Sequence, residues 1–271
     1  MFALARARHG HGTGNTTMAP ATHLMYTVCM DINEVTGNRI NRHPWELSRT
    51  GALLRELAPY IAPAHSYINV GAGDLFFDKT LLRRYPVQEV HAVDLGYEGR
   101  SPKSSRIRLY TRLEDVKGPA DYALMMDSLE YMEDDLAYIK ALADKVKPGG
   151  YCIFTLPAFS FLFSDHDRIV KNLRRYDRKD FHELIAQTAS LHIVKEHYFY
   201  TSLFLVRFIQ KFFHLSIDPE HKVTTGWKYG RRHPMTLLVQ MVLDLDFTVN
   251  RFFGERRMHL PGLSLFVVCR K

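Results

Sequence analysis

Residues 67–74, Y-I-N-V-G-A-G-D, carry an apolar run directly into a loop that contains two glycines. Glycine at positions 71 and 73 allows positive φ angles and lets the backbone approach a ligand closely. The N-terminus of a helix that follows such a loop offers free N–H groups. The stretch therefore predicts a strand, a turn and a helix arranged around a nucleotide-like ligand.

A second short apolar run, V-H-A-V at residues 90–93, ends at Asp94. Asp94 lies 21 residues after Gly73. This separation is close to the ~20-residue offset at which an acidic side chain reaches ribose hydroxyls in a βαβ unit. We therefore predict that Asp94 binds the same ligand as the glycine loop.

Further strand-like runs at residues 107–110, 121–126 and 151–156 alternate with helical patterns. The run at 121–126 is almost continuously apolar, as is typical of a strand buried on both faces. This alternation predicts an α/β fold, with a doubly wound, mostly parallel sheet between helices. Ligands of such sheets bind at the carboxyl ends of the strands, where Gly71, Asp94 and Asp127 all fall.

The alternation is interrupted after Pro157. Residues 200–260 contain two amphipathic stretches, and a β-prone run at 263–268 follows them. We predict a single domain over residues 21–271, with 200–260 as a helical insertion before the last strand that acts as a cap or as a substrate or dimer insertion. Residues 1–20 lack the long apolar centre of a secretory signal and are expected to form a disordered arm.

The first of these amphipathic stretches, residues 203–215, combines phenylalanine and leucine anchors with Arg207 and Lys211. Such a helix either lies on a membrane surface or lines a pocket for an apolar substrate. Packing in the core or in a homodimer is the alternative.

Composition excludes several classes of protein. Hydrophobic residues make up 46% and charged residues 24% of the chain, as in ordinary globular proteins, and the formal net charge is +7. The three cysteines are far apart, so neither a disulfide framework nor a metal site is expected, and a cytoplasmic location fits best. No basic stripe is interleaved with aromatic residues, so nucleic acid is not an expected partner.

Four blocks resemble the class I S-adenosylmethionine-dependent methyltransferases, which have a Rossmann-like fold. They are N-V-G-A-G-D at 69–74, H-A-V-D at 91–94, A-D-Y-A-L-M-M-D-S-L-E-Y-M-E-D-D at 120–135 and V-K-P-G-G-Y at 146–151. The segment from L-F-S-D-H-D to R-R-Y, residues 162–176, is similar to one found in a bacterial subgroup of this family. The resemblance implies S-adenosyl-L-methionine as the cofactor.

The resemblance also assigns roles in binding this cofactor. The implied cofactor-binding residues are Asn69, Gly71, Ala72, Gly73, Asp94, Leu95, Leu113, Asp127 and Ser128. Leu95 and Leu113 would enclose the adenine, and Asp127 and Ser128 would lie near the sulfonium. The chain departs from the family at two positions, because Asn69 replaces the acidic residue two before the first glycine and Leu75 replaces the third glycine.

Methyl transfer depends mainly on positioning, and it needs a base only when the acceptor carries a proton. His166 is the candidate base, because imidazole titrates near neutrality, and Asp167 would orient it. Tyr131 is a further catalytic candidate. A surface histidine beside an aspartate that caps a helix is the alternative.

The R-R-Y segment predicts substrate binding. Arg174, Arg175 and Tyr176 would clamp an acidic or phosphate-bearing substrate, since guanidinium groups bind such anions with two hydrogen bonds. A solvated, charged loop is the alternative.

The sequence thus predicts an enzyme that transfers a methyl group from S-adenosyl-L-methionine to oxygen or nitrogen of a small acidic or apolar metabolite. One alternative is a nicotinamide-dependent oxidoreductase, which uses the same glycine loop and acidic residue, although Leu75 counts against it. Another is a non-catalytic, membrane-peripheral binding protein of the same fold. Expected partners are a small-molecule substrate, a second copy of the chain, and a membrane surface contacted weakly.

Overall fold

The computed structural model describes residues 42–101, 104–213 and 227–271. The arm predicted at residues 1–20 lies outside these ranges. The described residues form one seven-stranded sheet with helices packed against it. This architecture confirms the predicted Rossmann-like α/β fold.

The strands are β1 Ser66–Val70, β2 Glu89–Val93, β3 Ile107–Tyr110, β4 Ala120–Met126, β5 Val146–Pro157, β6 His192–Phe199 and β7 Ser264–Arg270. Their order across the sheet is β3-β2-β1-β4-β5-β7-β6. The pairs among β1 to β5 are parallel, whereas β7 is antiparallel to both of its neighbours, β5 and β6. The sheet is therefore mostly parallel, as predicted.

The helices are α1 Pro44–Leu57, α2 Phe76–Arg84, α3 Asp135–Asp144, α4 Asp165–Ile169, α5 Arg178–Ala186, α6 Thr201–Phe212 and α7 Pro234–Glu255. Proline opens both α1 and α7, where its missing N–H costs no hydrogen bond. In both helices the preceding histidine ring accepts a hydrogen bond from a backbone N–H of the first turn.

The two central strands are buried on both faces. In β1, Ile68 and Val70 join the hydrophobic core on one side of the sheet, and Tyr67 joins the core on the other side. In β4, Met125 and Leu124 divide between the same two cores. Helices therefore have to cover both faces, which leaves the carboxyl edge of the strands as the open place for a site.

The region 200–260 contributes α6 and α7. α7 packs along α1 and β6. Its Asp246 accepts hydrogen bonds from the backbone N–H groups of Thr201 and Ser202, at 3.0 and 2.7 Å, and so caps the start of α6. Within the described parts of the chain, no helix is long and apolar enough to cross a membrane.

Candidate active site

A cavity of about 670 Å³ lies at the carboxyl ends of β1, β2, β4 and β5. Its walls come from the glycine loop after β1, the segment after β4, α1, α4, and the inner sides of α6 and α7. Small-molecule sites commonly occupy 300 to 1,000 Å³ and use a few polar groups to fix orientation. The volume therefore suits a cofactor together with a small substrate.

The glycine loop is held close to the end of β4. Gly71 has φ +72°, and a Cβ placed there would lie 2.8 Å from the Cβ of Ser128, inside any normal contact. Only glycine meets both conditions. Leu75, where the family has its third glycine, adopts φ +66° just before α2, so a leucine holds a left-handed conformation that usually belongs to glycine.

Asp94 follows β2, lines the cavity and has no solvent-exposed surface. Its carboxylate accepts hydrogen bonds from the backbone N–H of Gly73 at 3.1 Å and from that of Gly96 at 2.9 Å. The hydroxyl of Tyr97 donates to the carbonyl oxygen of Gly73 at 2.6 Å. Asp94 therefore joins the end of β2 to the glycine loop, which places the predicted carboxylate beside the predicted turn.

Asn69 is buried at the floor of the cavity. Its Nδ2 donates to Oδ1 of Asp78 on α2 at 2.9 Å, while its Oδ1 has no hydrogen-bond partner among the described residues. Burial raises the pKa of Asp78 to about 7, and the hydrogen bond from Asn69 offsets only part of that rise. An acidic group thus lies directly behind the asparagine that replaces the family's acid.

At the end of β4, Asp127 and Ser128 both line the cavity. Asp127 forms an ion pair with Arg49 of α1 at 2.5 Å and accepts a hydrogen bond from Oγ1 of Thr155 at 3.0 Å. The hydroxyl oxygen of Ser128 lies 3.1 Å from the carbonyl oxygen of Val70, so it holds the end of β1.

Leu95 and Leu113 are not among the described residues that line this cavity. Leu113 is 2% exposed and belongs to the hydrophobic core. Their predicted role around the adenine stays a prediction.

Two arginines lie near each other at the cavity, one shortly before α5 and one on α6. Arg175 and Arg207 both line it. Arg175 forms an ion pair with the fully buried Asp167 at 2.8 Å. Burial lowers the pKa of Arg207, and the positive charge of Arg175 lowers it further. The Nε of Arg175 has no hydrogen-bond partner among the described residues.

Asp167 is tied to the protein by several groups. Besides Arg175, it accepts from Asn172 at 3.0 Å and from the backbone N–H of Ser164 at 2.9 Å in a capping box at the start of α4. Burial pushes the pKa of Asp167 upward, but the hydrogen bond and charge of Arg175 outweigh this effect and hold the pKa below its ordinary value. Asp167 therefore holds the guanidinium group of Arg175 in place.

His166 lines the cavity beside these arginines. Burial lowers its pKa, and the positive charge of Arg207 adds to the shift. The imidazole is therefore neutral at physiological pH and carries one nitrogen lone pair, as a base requires.

The R-R-Y segment divides between two environments. Arg175 points into the cavity, whereas Arg174 and Tyr176 both bind Asp135 on α3, at 2.7 and 3.1 Å. Extended backbone sends successive side chains to opposite sides, which explains the separation. The structure therefore brings one member of the predicted clamp to the site and places the other two against α3.

Five charged residues of the cavity fall outside the sequence-predicted site: Glu46, Arg49, Asp74, Glu130 and Arg207. Glu130, next to the predicted Tyr131, is 2% exposed. Burial raises its pKa well above the ordinary value, the charge of Asp127 raises it further, and its Oε2 has no partner in the described chain. From sequence alone, an acidic residue at this position is explained by its favourable interaction with a helix dipole. The burial of Glu130, which the sequence does not show, is the feature that indicates a functional role. Tyr131 also lines the cavity.

Within the described ranges, no cluster of three His, Cys, Asp or Glu side chains is placed to hold a metal ion.

A family model described as a methyltransferase domain matches residues 42–212. A search of curated protein sequences found no match. Solved structures with a similar fold include a candidate sarcosine dimethylglycine methyltransferase from Galdieria sulphuraria, which is 16% identical with a TM-score of 0.51 over 83% of this chain and 86% of that one.

Two further structures have the same TM-score of 0.51. The cyclase SpnF is 14% identical over 87% of each chain. Phosphoethanolamine N-methyltransferase 2 from Haemonchus contortus, solved with S-adenosyl-L-methionine, is 15% identical over 89% of this chain and 56% of that one. At these identities the structures establish a shared fold.

Proposed function

The chain belongs to the methyltransferase-domain family, and from that membership we propose that it binds S-adenosyl-L-methionine in the cavity and transfers the methyl group to oxygen or nitrogen of a small acidic metabolite. The observation that carries the proposal is the layout of the cavity. The glycine loop and Asp94 line the same cavity as Arg175, Arg207 and His166. We call the first group the cofactor side and the second the substrate side.

The residues on the cofactor side fit this cofactor. Oδ1 of Asn69 is a buried hydrogen-bond acceptor that no described group uses. The ammonium of the methionine part of the cofactor is a donor and needs such an acceptor. The carboxylate of Asp94 suits paired ribose hydroxyls, and Gly71, Ala72 and Gly73 provide a backbone surface without bulk. The carboxylate of Asp127, held by Arg49 and Thr155, would lie near the sulfonium. S-adenosyl-L-methionine, when bound, supplies an electrophilic methyl group.

On the substrate side, positive charge exceeds negative charge. The carboxylate of Asp167 is engaged by Arg175, Asn172 and Ser164, and its charge acts on Arg207 as well, but one carboxylate does not balance two guanidinium groups. Within the described chain, Arg207 makes one long hydrogen bond, of 3.5 Å, to Gln210. A carboxylate or phosphate on the acceptor would relieve the repulsion between the two arginines and use the Nε of Arg175.

Neutral His166 lines the cavity and can accept the proton of the acceptor. The remaining contribution is orientation of the acceptor, which several arginine hydrogen bonds provide. The family match supports methyl transfer over the nicotinamide alternative, which requires the third glycine.

Isothermal titration with S-adenosyl-L-methionine tests the cofactor assignment. The unmodified protein should bind it, and Asp94→Ala should lose most of the affinity. Asp115→Ala, an exposed acid at another strand end, is the matched control and should bind normally. Absence of binding by the unmodified protein would refute the proposal.

The acceptor class is tested separately, with a panel of amines and hydroxyl compounds offered with and without a carboxylate or phosphate. Methyl transfer should be confined to the anionic members and should fall in Arg207→Gln while cofactor binding persists. Equal transfer to neutral members would contradict the acidic substrate.

A further inference from the structure

The helix α6 is oriented with its apolar face outward. Leu205, Phe208, Ile209 and Phe212 follow helical spacing and are each between 41% and 69% exposed. Arg207 lines the cavity instead, and Nζ of the exposed Lys211 reaches back to donate to the carbonyl oxygen of Phe163 at 2.6 Å. Amphipathic helices of globular proteins normally do the reverse.

The helix α7 is apolar on both sides. Its inner side buries Leu243 and Phe247 against the sheet. Its outer side repeats apolar residues at the spacing of one stripe, all between 40% and 65% exposed: Leu238, Val242, Leu245, Val249 and Phe252. A helix with this composition needs a partner on the outer side as well. We call these residues and the four of α6 the outer face.

The exposed charges beside the outer face are mainly positive. Exposed cations precede and follow α7, namely Lys228, Arg231, Arg232, Arg256 and Arg257. The aspartates of α7 turn inward, where Asp244 binds Ser48 and Asp246 caps α6. The exposed Glu255 is paired with Arg251 at 2.9 Å.

From this arrangement we propose that the outer face docks on an anionic lipid bilayer. Apolar side chains would enter the boundary between headgroups and acyl chains, and the flanking arginines and lysine would contact the headgroups. The proposed contact is peripheral, with both helices lying in the plane of the interface.

A second copy of the chain fits this face less well. A twofold interface brings the same patch together from both partners, so the cations around one outer face would meet those around the other. A bilayer instead offers an apolar layer bordered by negative charge. The net charge of +7 favours the same partner.

Vesicle co-sedimentation tests the proposal. The full chain should sediment with phosphatidylcholine vesicles that contain phosphatidylserine, and less with pure phosphatidylcholine or at high salt. The double variant Phe212→Ser/Leu245→Ser should weaken binding about tenfold or more, given the hydrocarbon it withdraws. Arg231→Glu/Arg232→Glu should remove the preference for phosphatidylserine.

Val194→Ser is the control, because Val194 is also an exposed apolar residue, at 51%, but lies on β6, and it should bind as the unmodified protein does. Unchanged thermal unfolding shows that each variant is folded. Equal sedimentation of the outer-face variant and the control would overturn the proposal. So would a stable dimer in analytical ultracentrifugation that the Phe212→Ser/Leu245→Ser variant dissociates, since the face would then belong to a second copy.

Discussion

Replacing Asp78 with Asn should stabilise the protein at neutral and alkaline pH and leave its stability unchanged in acid. Asp78 has no exposed surface, accepts one hydrogen bond from Asn69, and has a second oxygen without a partner among the described residues. The folded protein therefore favours the neutral acid. Asparagine keeps the shape and the acceptor oxygen but never ionises.

The size of the effect follows from the pKa of Asp78, which burial raises from 3.8 to about 7. At ~1.36 kcal/mol for each pKa unit, the ionised carboxylate costs at most about 4 kcal/mol of folding free energy. Because the folded state holds a proton that the unfolded state releases, this stability is lost as pH rises from about 4 to about 7. Below that window both states are protonated and the residue has no effect.

Urea unfolding followed by tryptophan fluorescence, repeated from about pH 4 to about pH 8, measures the difference directly. The variant should gain stability over the unmodified protein across this range and then stay at a constant advantage. Asp165→Asn, whose side chain is 74% exposed, is the matched control and should show little change. A constant difference between Asp78→Asn and the unmodified protein at every pH would refute the reasoning.

Three further changes have definite outcomes. Gly71→Ala should abolish cofactor binding and lower the melting temperature, because the new Cβ overlaps Ser128. Gly118 has a similar φ angle but no atom close to the position of a Cβ, so Gly118→Ala should cost only about 1 kcal/mol of backbone strain. Arg175→Met should destabilise the fold by about 3 to 5 kcal/mol in urea titrations by stranding a buried carboxylate, and a loss below 1 kcal/mol would contradict the ion pair. In pH profiles of kcat/KM, activity should fall only below pH 6.5, because the pKa of His166 is lowered and its neutral form is the base. His166→Gln should remove this acid limb of the profile. An acid limb that is unchanged in the variant would exclude His166 as the base.

The sheet was accessible from sequence because its central strands are buried on both faces. β1 and β3 lie where the apolar runs predicted them, and Gly71, Gly73 and Asp94 meet at one edge because parallel strands end there. Local pattern and global fold agree at these positions.

The substrate side was less accessible. Nothing in the helical pattern of α1 distinguishes Arg49, which reaches Asp127, from Arg55 further along the same helix. The packing of α1 across the strand ends determines that Arg49, and not Arg55, lines the cavity. For α6, the sequence gives the periodicity of an amphipathic helix but not the direction of its apolar face, and the structure turns that face outward.

The reversed strand β7 has a consequence for synthesis of the chain. Among the described strands, β6 pairs only with β7, and β7 also covers the edge of β5. Roughly 100 residues separate β5 from β7, so at 5–20 residues per second the ribosome needs about 5 to 20 s to supply the missing strand. During that interval the apolar edge of β5 is open to other chains. The half of the sheet that carries the glycine loop can form early, whereas β6 must wait for β7, so a nascent-chain chaperone would be most useful in this period.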